Sequence, residues 1–139
     1  MWKSILAVFC GFIATIIVVG IFDLLNYQIF PPPAGLDPAI AEDLKEIIRS
    51  APAGAWALLL LGHAIASAIG GFVAGLIKQG QPYIAVMCGA LMIIVATINN
   101  ILVGETPIWY WVFDLAIYIP LCLIGYSLSR RTRKSSEDE

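Results

Sequence analysis

Hydrophobic residues follow one another along this chain in four long runs that carry no charged residue. Asp, Glu, Lys and Arg are absent from four intervals, which lie between Lys3 and Asp23, Arg49 and Lys78, Lys78 and Glu105, and Asp114 and Arg130. Each interval holds an apolar run close to the ~20 residues with which a helix crosses about 30 Å of hydrocarbon. The pattern predicts four membrane-spanning helices, over residues 4–27, 53–77, 83–103 and 107–129.

The segment between the first two predicted spans is polar and predicts a further, short helix. Three consecutive prolines, residues 31–33, end the first span, because proline lacks an amide donor and clashes with the preceding turn. Asp37 followed by Pro38 is typical of a helix N-cap with proline in the first helical position. The apolar residues that follow share one face, so we predict a short amphipathic helix over 38–49 in the first outer loop. Covering the loop is its simplest role, and binding a ligand or partner is the alternative.

The positions of the basic residues predict the orientation of the spans. With the N-terminus inside, six of the eight Lys and Arg residues lie on the inner side, and only Lys45 and Arg49 lie outside. Because positively charged loops stay on the cytoplasmic side, both termini are predicted to be cytoplasmic. Aromatic residues near the predicted helix ends fit interfacial belts at both surfaces. They are Trp2, Tyr83 and Tyr126 on the inner side, and Tyr27, Phe30, Trp56, Trp109, Tyr110 and Trp111 on the outer side.

The composition supports the membrane assignment and excludes other classes. Of 139 residues, 60% are hydrophobic and 13% are charged, whereas a soluble domain carries about 25% charged residues. A net charge of -2 does not fit a nucleic-acid-binding surface. The first apolar stretch, Ile5 to Phe22, is too long for a signal peptide, so we expect it to be retained. We predict one all-α domain over residues 1–134, a four-transmembrane-helix bundle, followed by a disordered acidic tail, residues 135–139.

Small residues form two parallel rows along the second predicted span. One row contains His63, Ser67, Gly71 and Gly75, and the other contains Gly62, Ala66, Gly70 and Ala74. Rows with this spacing let helix backbones approach closely, which is how helices associate in lipid. We therefore predict that this helix is central to the bundle. The predicted helix-packing residues are Gly62, Ala66, Ser67, Gly70, Gly71 and Gly75, together with Gly89 in the next span.

Polar residues within the spans are concentrated in the predicted outer half. His63 lies near the midplane, and the others lie closer to the outer side, namely Asp23, Asn26, Asn99, Asn100, Asp114 and Tyr118. Residues four apart share a helix face, which places Asp114 with Tyr118. We predict a bundle that is packed tightly toward the cytoplasm and has a polar cavity open to the outside. An ionisable residue in a membrane is a functional candidate, and hydrogen bonding between helices is the alternative role.

The sequence predicts no catalytic residue, metal site or cofactor. Cys10, Cys88 and Cys122 fall in the inner half, where we expect small apolar filler rather than soft-metal ligands. The single histidine has no second ligand at metal spacing, so neither a zinc nor a haem site is predicted. Nucleotide-binding and nucleophile motifs are absent from the sequence.

Four segments of the chain carry a resemblance to a group of proteins. They are Pro31-Pro32-Pro33-Ala34-Gly35-Leu36-Asp37-Pro38, Ala51-Pro52-Ala53-Gly54-Ala55, the stretch from Gly62-His63-Ala64 to Gly70-Gly71-Phe72-Val73-Ala74, and Asn99-Asn100 followed by Pro107-Ile108-Trp109-Tyr110-Trp111. In these segments the chain resembles a group of uncharacterised small bacterial integral membrane proteins with four helices. The resemblance implies a multi-pass protein of the bacterial inner (plasma) membrane, and it implies no activity.

Three functions are compatible with the sequence. The interpretation that we favour at this point is an accessory or structural subunit, which associates with itself or with a larger membrane complex through its glycine-rich helix faces. The alternative is a transporter or binding protein for a small solute, lipid or proton, which uses the polar cavity. An intramembrane enzyme is the weakest, because it rests on His63 meeting Asp114 or Asp23. The partners predicted are therefore the lipid bilayer and other membrane proteins, and not nucleic acid.

Overall fold

The computed structural model describes the backbone of residues 1–137 and the side chains of residues 1–132. Within that part of the chain five helices form and no strand does. They are α1 (Trp2–Ile29), α2 (Ala41–Ser50), α3 (Ala53–Ile77), α4 (Tyr83–Val103) and α5 (Ile108–Glu137). All except α2 are long and apolar enough to cross a membrane. The all-α class and the four predicted spanning helices are therefore confirmed.

The bounds of the spanning helices follow local signals in the sequence. Pro52 precedes α3 and Pro82 precedes α4, and both helices have the bounds that the sequence predicts. Gly104 ends α4, because its φ of 74° is left-handed backbone that favours glycine, and its amide N–H donates to the Asn100 carbonyl. α1 extends two residues beyond its predicted range at each end.

α5 is longer than the sequence predicts. It continues through the basic segment to Glu137, since Lys and Arg are favourable helix formers. Residues 135–137, which belong to the tail that was predicted to be disordered, are helical, and residues 138–139 lie outside the described residues.

α2 forms in the predicted segment but begins three residues later than predicted. Asp37 does not act as its N-cap, because its Oδ1 accepts the Ala39 amide N–H at 2.9 Å and closes a local turn. The residue before the first helical position is Ile40, which has extended backbone. The Asp37 amide N–H donates to Asp43 Oδ2 at 2.9 Å, which fixes this turn against the start of α2.

The four long helices alternate in direction along the chain and pack around α3, so that α3 runs antiparallel to α1 and parallel to α5. α3 packs most extensively against α5 and α1, α4 packs mainly against α5, and α1 and α4 touch over a smaller area. One end of the bundle carries the start of α1, the α3–α4 loop and the last described turns of α5, and we call it the terminal end. The opposite end carries α2 and the α4–α5 loop, and we call it the α2 end.

The two rows of small residues on α3 face different neighbours. Gly62 lies against the Phe22 ring of α1, and a Cβ built on Gly70 would meet the Gly11 carbonyl oxygen at 2.7 Å. On the other face, a Cβ on Gly71 would overlap the Cys122 carbonyl of α5, and Gly75 lies against Ser129 of α5. Both rows are therefore occupied by helices of the same chain.

The remaining residues that were predicted to pack helices together also lie between helices of the same chain. Ala66 and Ser67 are fully buried on the two faces of α3. Gly89 of α4 brings that helix onto α5, because a Cβ there would meet Ile119 Cα at 2.9 Å. Alanines, Ile84 and Tyr126 form the core at the terminal end, and buried Cys88 and Cys122 are part of it. These two cysteines thus occupy apolar packing positions, whereas Cys10 is partly buried.

Candidate functional site

His63 of α3 and Asp114 of α5 form a pair inside the bundle. His63 Nδ1 lies 2.6 Å from Asp114 Oδ1, and the Asp114 side chain is 1% exposed. The Ser67 hydroxyl donates to the His63 carbonyl at 2.7 Å, one turn along the same row of α3. Because this row is small from Ser67 to Gly75, α5 approaches closely enough for the imidazole to reach a carboxylate on the facing helix.

Two tyrosines of α5 complete the polar cluster. The Tyr118 hydroxyl donates to Asp114 Oδ1 at 3.0 Å, and it also lies 3.1 Å from His63 Nδ1. The Tyr110 hydroxyl lies 3.2 Å from the same ring nitrogen. Tyr110, Asp114 and Tyr118 are spaced four residues apart, so they share one face of α5. We call these three residues and His63 the polar cluster.

The cluster leaves one imidazole nitrogen free to exchange a proton. An ionised carboxylate only accepts hydrogen bonds, so the short contact with Asp114 assigns a proton to His63 Nδ1. His63 Nε2 makes no hydrogen bond to any side chain or backbone group within residues 1–132. A second proton can therefore enter or leave at Nε2 while the bond to Asp114 stays in place.

A cavity of about 340 Å³ extends from the cluster toward the α2 end. The polar residues that line it come from all four long helices and the α4–α5 loop, namely Asp23, His63, Asn99, Asn100, Thr106, Tyr110, Asp114 and Tyr118. Its volume corresponds to about ten water molecules at roughly 30 Å³ each, and it lies at the lower end of the range of ligand pockets.

The charges around the cavity are predominantly acidic. Asp23 and Asp114 line it, and within residues 1–132 no Lys or Arg does. Asp23 makes no hydrogen bond or ion pair within the same part of the chain, whereas Asp114 is held by His63 and Tyr118. Trp56 of α3 also lines the cavity, and its ring centroid lies 4.9 Å from that of Tyr110. Carboxylates and aromatic rings thus line the same cavity.

α2 lies beside the cavity, which it reaches with Ile48, and an ion pair ties it to the α4–α5 loop. Arg49 of α2 donates from Nε to Glu105 Oε2 at 2.9 Å and from Nη2 to Glu105 Oε1 at 2.7 Å. These hydrogen bonds, and then the charge of Arg49, lower the pKa of Glu105 below its ordinary value. The same hydrogen bonds raise the pKa of Arg49. Ile48 of α2 and Thr106, the sequence neighbours of Arg49 and Glu105, both line the cavity, so this ion pair lies beside its rim.

The structure brings together six of the seven polar residues that the sequence singles out. Asp23, His63, Asn99, Asn100, Asp114 and Tyr118 all line the cavity. Asn26 is not among the lining residues; its Oδ1 is buried without a hydrogen-bond partner within residues 1–132. Asn26 lies on the same face of α1 as Asp23, as residues three apart do, but one turn further along the helix, beyond the last residue of α1 that lines the cavity.

Tyr110 and Trp56 are functional candidates that the sequence analysis placed elsewhere. Both were assigned to an aromatic belt at the membrane surface, and that assignment is wrong, since Tyr110 is 3% exposed and Trp56 is 8% exposed. Tyr110 turns inward because it lies four residues before Asp114 on the buried face of α5. The spacing from Asp114 was the signal that could have identified it.

Comparison with protein-family models, with curated proteins and with solved structures finds no match to this chain. The class of protein therefore rests on the fold and the site. Four apolar helices of spanning length define a multi-pass membrane protein. Within that class, its distinguishing feature is a histidine–aspartate pair in an acidic, aromatic cavity near one end of the bundle.

Proposed function

We propose that the protein binds a small cationic solute in the cavity and carries it across the membrane in exchange for protons. The observation that carries this proposal is the charge of the cavity, where Asp23 and Asp114 meet no basic residue of the described side chains other than His63. Anionic solutes are disfavoured there, because the carboxylates would repel them in a space partly removed from water.

The aromatic residues favour an organic cation as the solute. Ammonium groups are attracted to the faces of Trp and Tyr rings, and this attraction increases when the site is shielded from water. Trp56 and Tyr110 supply such rings beside the cavity. Asp23, which is free of protein partners among the described side chains, supplies the charge that compensates the cation.

The His63–Asp114 pair provides the coupling to protons in this proposal. A cation that enters beside Asp23 adds a positive charge to a site of low polarity, where uncompensated charge is unfavourable. Release of a proton from His63 Nε2 removes one positive charge, and the Nδ1 bond to Asp114 keeps the ring in place. Cation entry and proton release are thus linked through one imidazole.

Binding of tetramethylammonium and of acetate to the purified protein in detergent tests the site. We expect tetramethylammonium to bind and acetate not to bind. Asp23→Asn should weaken binding at least tenfold, which corresponds to about 1.4 kcal/mol. Glu46→Gln, which removes an exposed carboxylate of α2 outside the cavity, is the matched control and should bind normally. Equal binding by wild type and Asp23→Asn, or preferential binding of acetate, would contradict the proposal.

Flux measurements separate transport from binding alone. In proteoliposomes, an outward gradient of tetramethylammonium should drive proton uptake that a pH dye in the lumen reports. His63→Ala should abolish proton movement while a bound cation is still detected in detergent. If wild type binds the cation without any flux, the protein is a binding protein and the transport part of the proposal is wrong.

The subunit role that the sequence favoured stays a prediction. Its basis was the glycine-rich faces of α3, and these are occupied by α1 and α5 of the same chain. All four long helices keep an outer side that a partner could contact, and α1 has the most, since 17% of the residues in its apolar stretch are buried compared with 28% for α4 and α5 and 33% for α3. Co-purification in mild detergent tests this role, because a stable complex would appear as a second polypeptide or a higher oligomer.

We also propose a bacterial inner-membrane location with the terminal end in the cytoplasm. The resemblance in the proline, glycine and Asn-Asn segments supports the bacterial membrane. The excess of Lys and Arg at the terminal end supports the orientation, because such residues remain on the cytoplasmic side. The cavity would then face the outer side. A reporter fused after residue 139 should be active only if it functions in the cytoplasm, and activity of a periplasm-specific reporter would reverse the assignment.

A further inference from the structure

We propose that the terminal end holds an anionic phospholipid in a groove between α1 and α4, independently of the function assigned to the polar cavity. The groove has a volume of about 820 Å³ and lies at the opposite end of the bundle from that cavity. Ligand clefts commonly measure about 300–1,000 Å³, so the space is large enough for a sizeable part of a lipid.

The walls of the groove are apolar along its length. Val8, Phe9 and Phe12 of α1 line one side, and Met87 and Leu91 of α4 line the other. These residues lie in the spans of helices that touch each other over a small area, so the groove opens sideways between them. In a bilayer an opening of this kind faces acyl chains rather than water, which favours a lipid chain as its occupant.

The mouth of the groove is basic. Lys3 of α1 and Lys78, at the start of the α3–α4 loop, both line it. Within residues 1–132 neither lysine forms an ion pair with a carboxylate. Two ammonium groups from separate elements therefore border an apolar groove at the ends of two spanning helices, which is where a helix of spanning length meets the headgroup region. This charge complementarity selects an anionic headgroup over a zwitterionic one.

Hydrogen bonds hold the mouth in a defined shape. The Ser4 and Tyr83 hydroxyls donate to Gln81 Oε1 at 3.1 and 3.0 Å, which joins α1 to the α3–α4 loop. The Tyr126 hydroxyl of α5 donates to the Lys78 carbonyl at 2.8 Å and accepts the Gln81 amide N–H at 3.0 Å. The backbone that carries Lys78 is thus fixed before a lipid arrives, which lowers the entropic cost of binding.

Native mass spectrometry of the full chain with phosphatidylglycerol and phosphatidylcholine of identical acyl chains tests the proposal. We expect one phosphatidylglycerol to bind more tightly than phosphatidylcholine. Lysines near an anionic surface contribute a factor of about five each, so Lys3→Gln with Lys78→Gln should weaken binding about 25-fold. Arg130→Gln with Arg131→Gln, which removes two exposed charges at the same end but outside the groove, is the matched control and should change binding little.

A second pair of variants tests the apolar part of the groove. Met87→Trp adds bulk inside it and should displace the lipid, whereas Ile94→Trp adds the same bulk on the outer face of α4 and should not. Inorganic phosphate should not compete, because it has no acyl chain. The proposal is wrong if both lipids bind equally, if the two double variants lose binding to the same extent, or if Met87→Trp binds lipid as wild type does. Dimerisation that Met87→Trp abolishes without any effect on lipid would identify a second copy of the chain as the occupant.

Discussion

The two halves of the bundle contain the same four helices but differ in how closely α3 and α5 approach each other. We call the half toward the terminal end the tight half and the half toward the α2 end the polar half. Toward the terminal end, backbone meets backbone, as where Gly71 of α3 lies against the Cys122 carbonyl and Gly125 of α5 lies against the Ala68 carbonyl. Toward the α2 end, His63 and the residues Tyr110, Asp114 and Tyr118 project between the same two helices. The facing rows of α3 and α5 change from small to large along their length. A small-residue row thus brings two helices together, and the point where it gives way to larger residues is the point where a cavity opens.

The largest effect is expected from adding one methyl group in the tight half. Gly71→Ala would place its Cβ on the backbone carbonyl of Cys122, which cannot rotate away as a side chain can. We expect a loss of about 3 kcal/mol in the free energy of unfolding, the upper end for overpacking. Gly20→Ala is the control, because nothing lies within 4 Å of the added Cβ. Unfolding in mixed detergent micelles measures both, and equal stability of the two variants would remove the basis for calling this half tightly packed.

Substitutions in the polar half should lower the free energy of unfolding by a smaller amount, and the effects of substituting His63 and Asp114 should depend on each other. In a double-mutant cycle, His63→Ala and Asp114→Ala should give an interaction free energy of up to about 1.7 kcal/mol, the largest found for polar pairs in membranes. The physical reason is the 2.6 Å contact, which each single substitution removes. Free energies of unfolding for the wild type and the three variants provide the measurement. Strictly additive losses would mean that the two residues do not interact in the folded protein.

Substitutions of two tyrosines on α5 separate an effect on stability from an effect on ligand binding. Tyr118→Phe removes the hydroxyl that donates to Asp114, and Tyr126→Phe removes the hydroxyl that bonds the α3–α4 loop. Each should lower the free energy of unfolding by about 0.6–1 kcal/mol. Only Tyr118→Phe should also change tetramethylammonium binding, because only Tyr118 lines the cavity. An equal change in tetramethylammonium binding by Tyr118→Phe and Tyr126→Phe would contradict the assignment of the binding site to the polar half.

The smallest effect is expected at the exposed rim. Arg49 lowers the pKa of Glu105, so this ion pair is present above the ordinary value of 4.5 and is lost as the pH falls through the lower folded value. Backbone amides of α2 should therefore exchange faster in strong acid, after correction for the intrinsic pH dependence of exchange. Glu105→Gln should show that faster exchange already at pH 7. Exposed ion pairs contribute little, so global stability should hardly change, and a large change would contradict the assignment of this pair to the rim alone.

Much of the tight half is predictable from the sequence. Intervals without charge gave the spans, and the two rows of α3 predicted a central helix, because four-residue spacing determines which residues share a face. The rows also show what the sequence could not predict, which is the identity of the neighbouring helix. Small residues permit close approach but do not identify the neighbour, so a partner protein and another helix of the same chain were equally compatible with Gly62 and Gly71.

The polar half was predictable in its composition and less so in its geometry. Placing Asp114 and Tyr118 on one face followed from spacing, but their contact with His63 joins helices 51 residues apart in sequence. Tyr110 was misplaced, because an aromatic residue near a helix end suits both a surface belt and a cavity wall. The ion pair of Arg49 and Glu105 joins α2 to the α4–α5 loop across 56 residues of sequence, and no local pattern predicts such a contact.

The central position of α3 has a consequence for the order of assembly. A chain is made from its N-terminus, so α1 and α3 enter the membrane first, and their shared surface at Gly62 and Gly70 can form before α4 and α5 exist. The His63 side chain forms its hydrogen bonds later, because the partners of its imidazole within residues 1–132 all belong to α5. A nascent chain that ends before residue 108 therefore holds the imidazole of His63 inside a spanning helix without the carboxylate of Asp114. Only the insertion of α5, the last helix to be made, brings that carboxylate into contact with the ring.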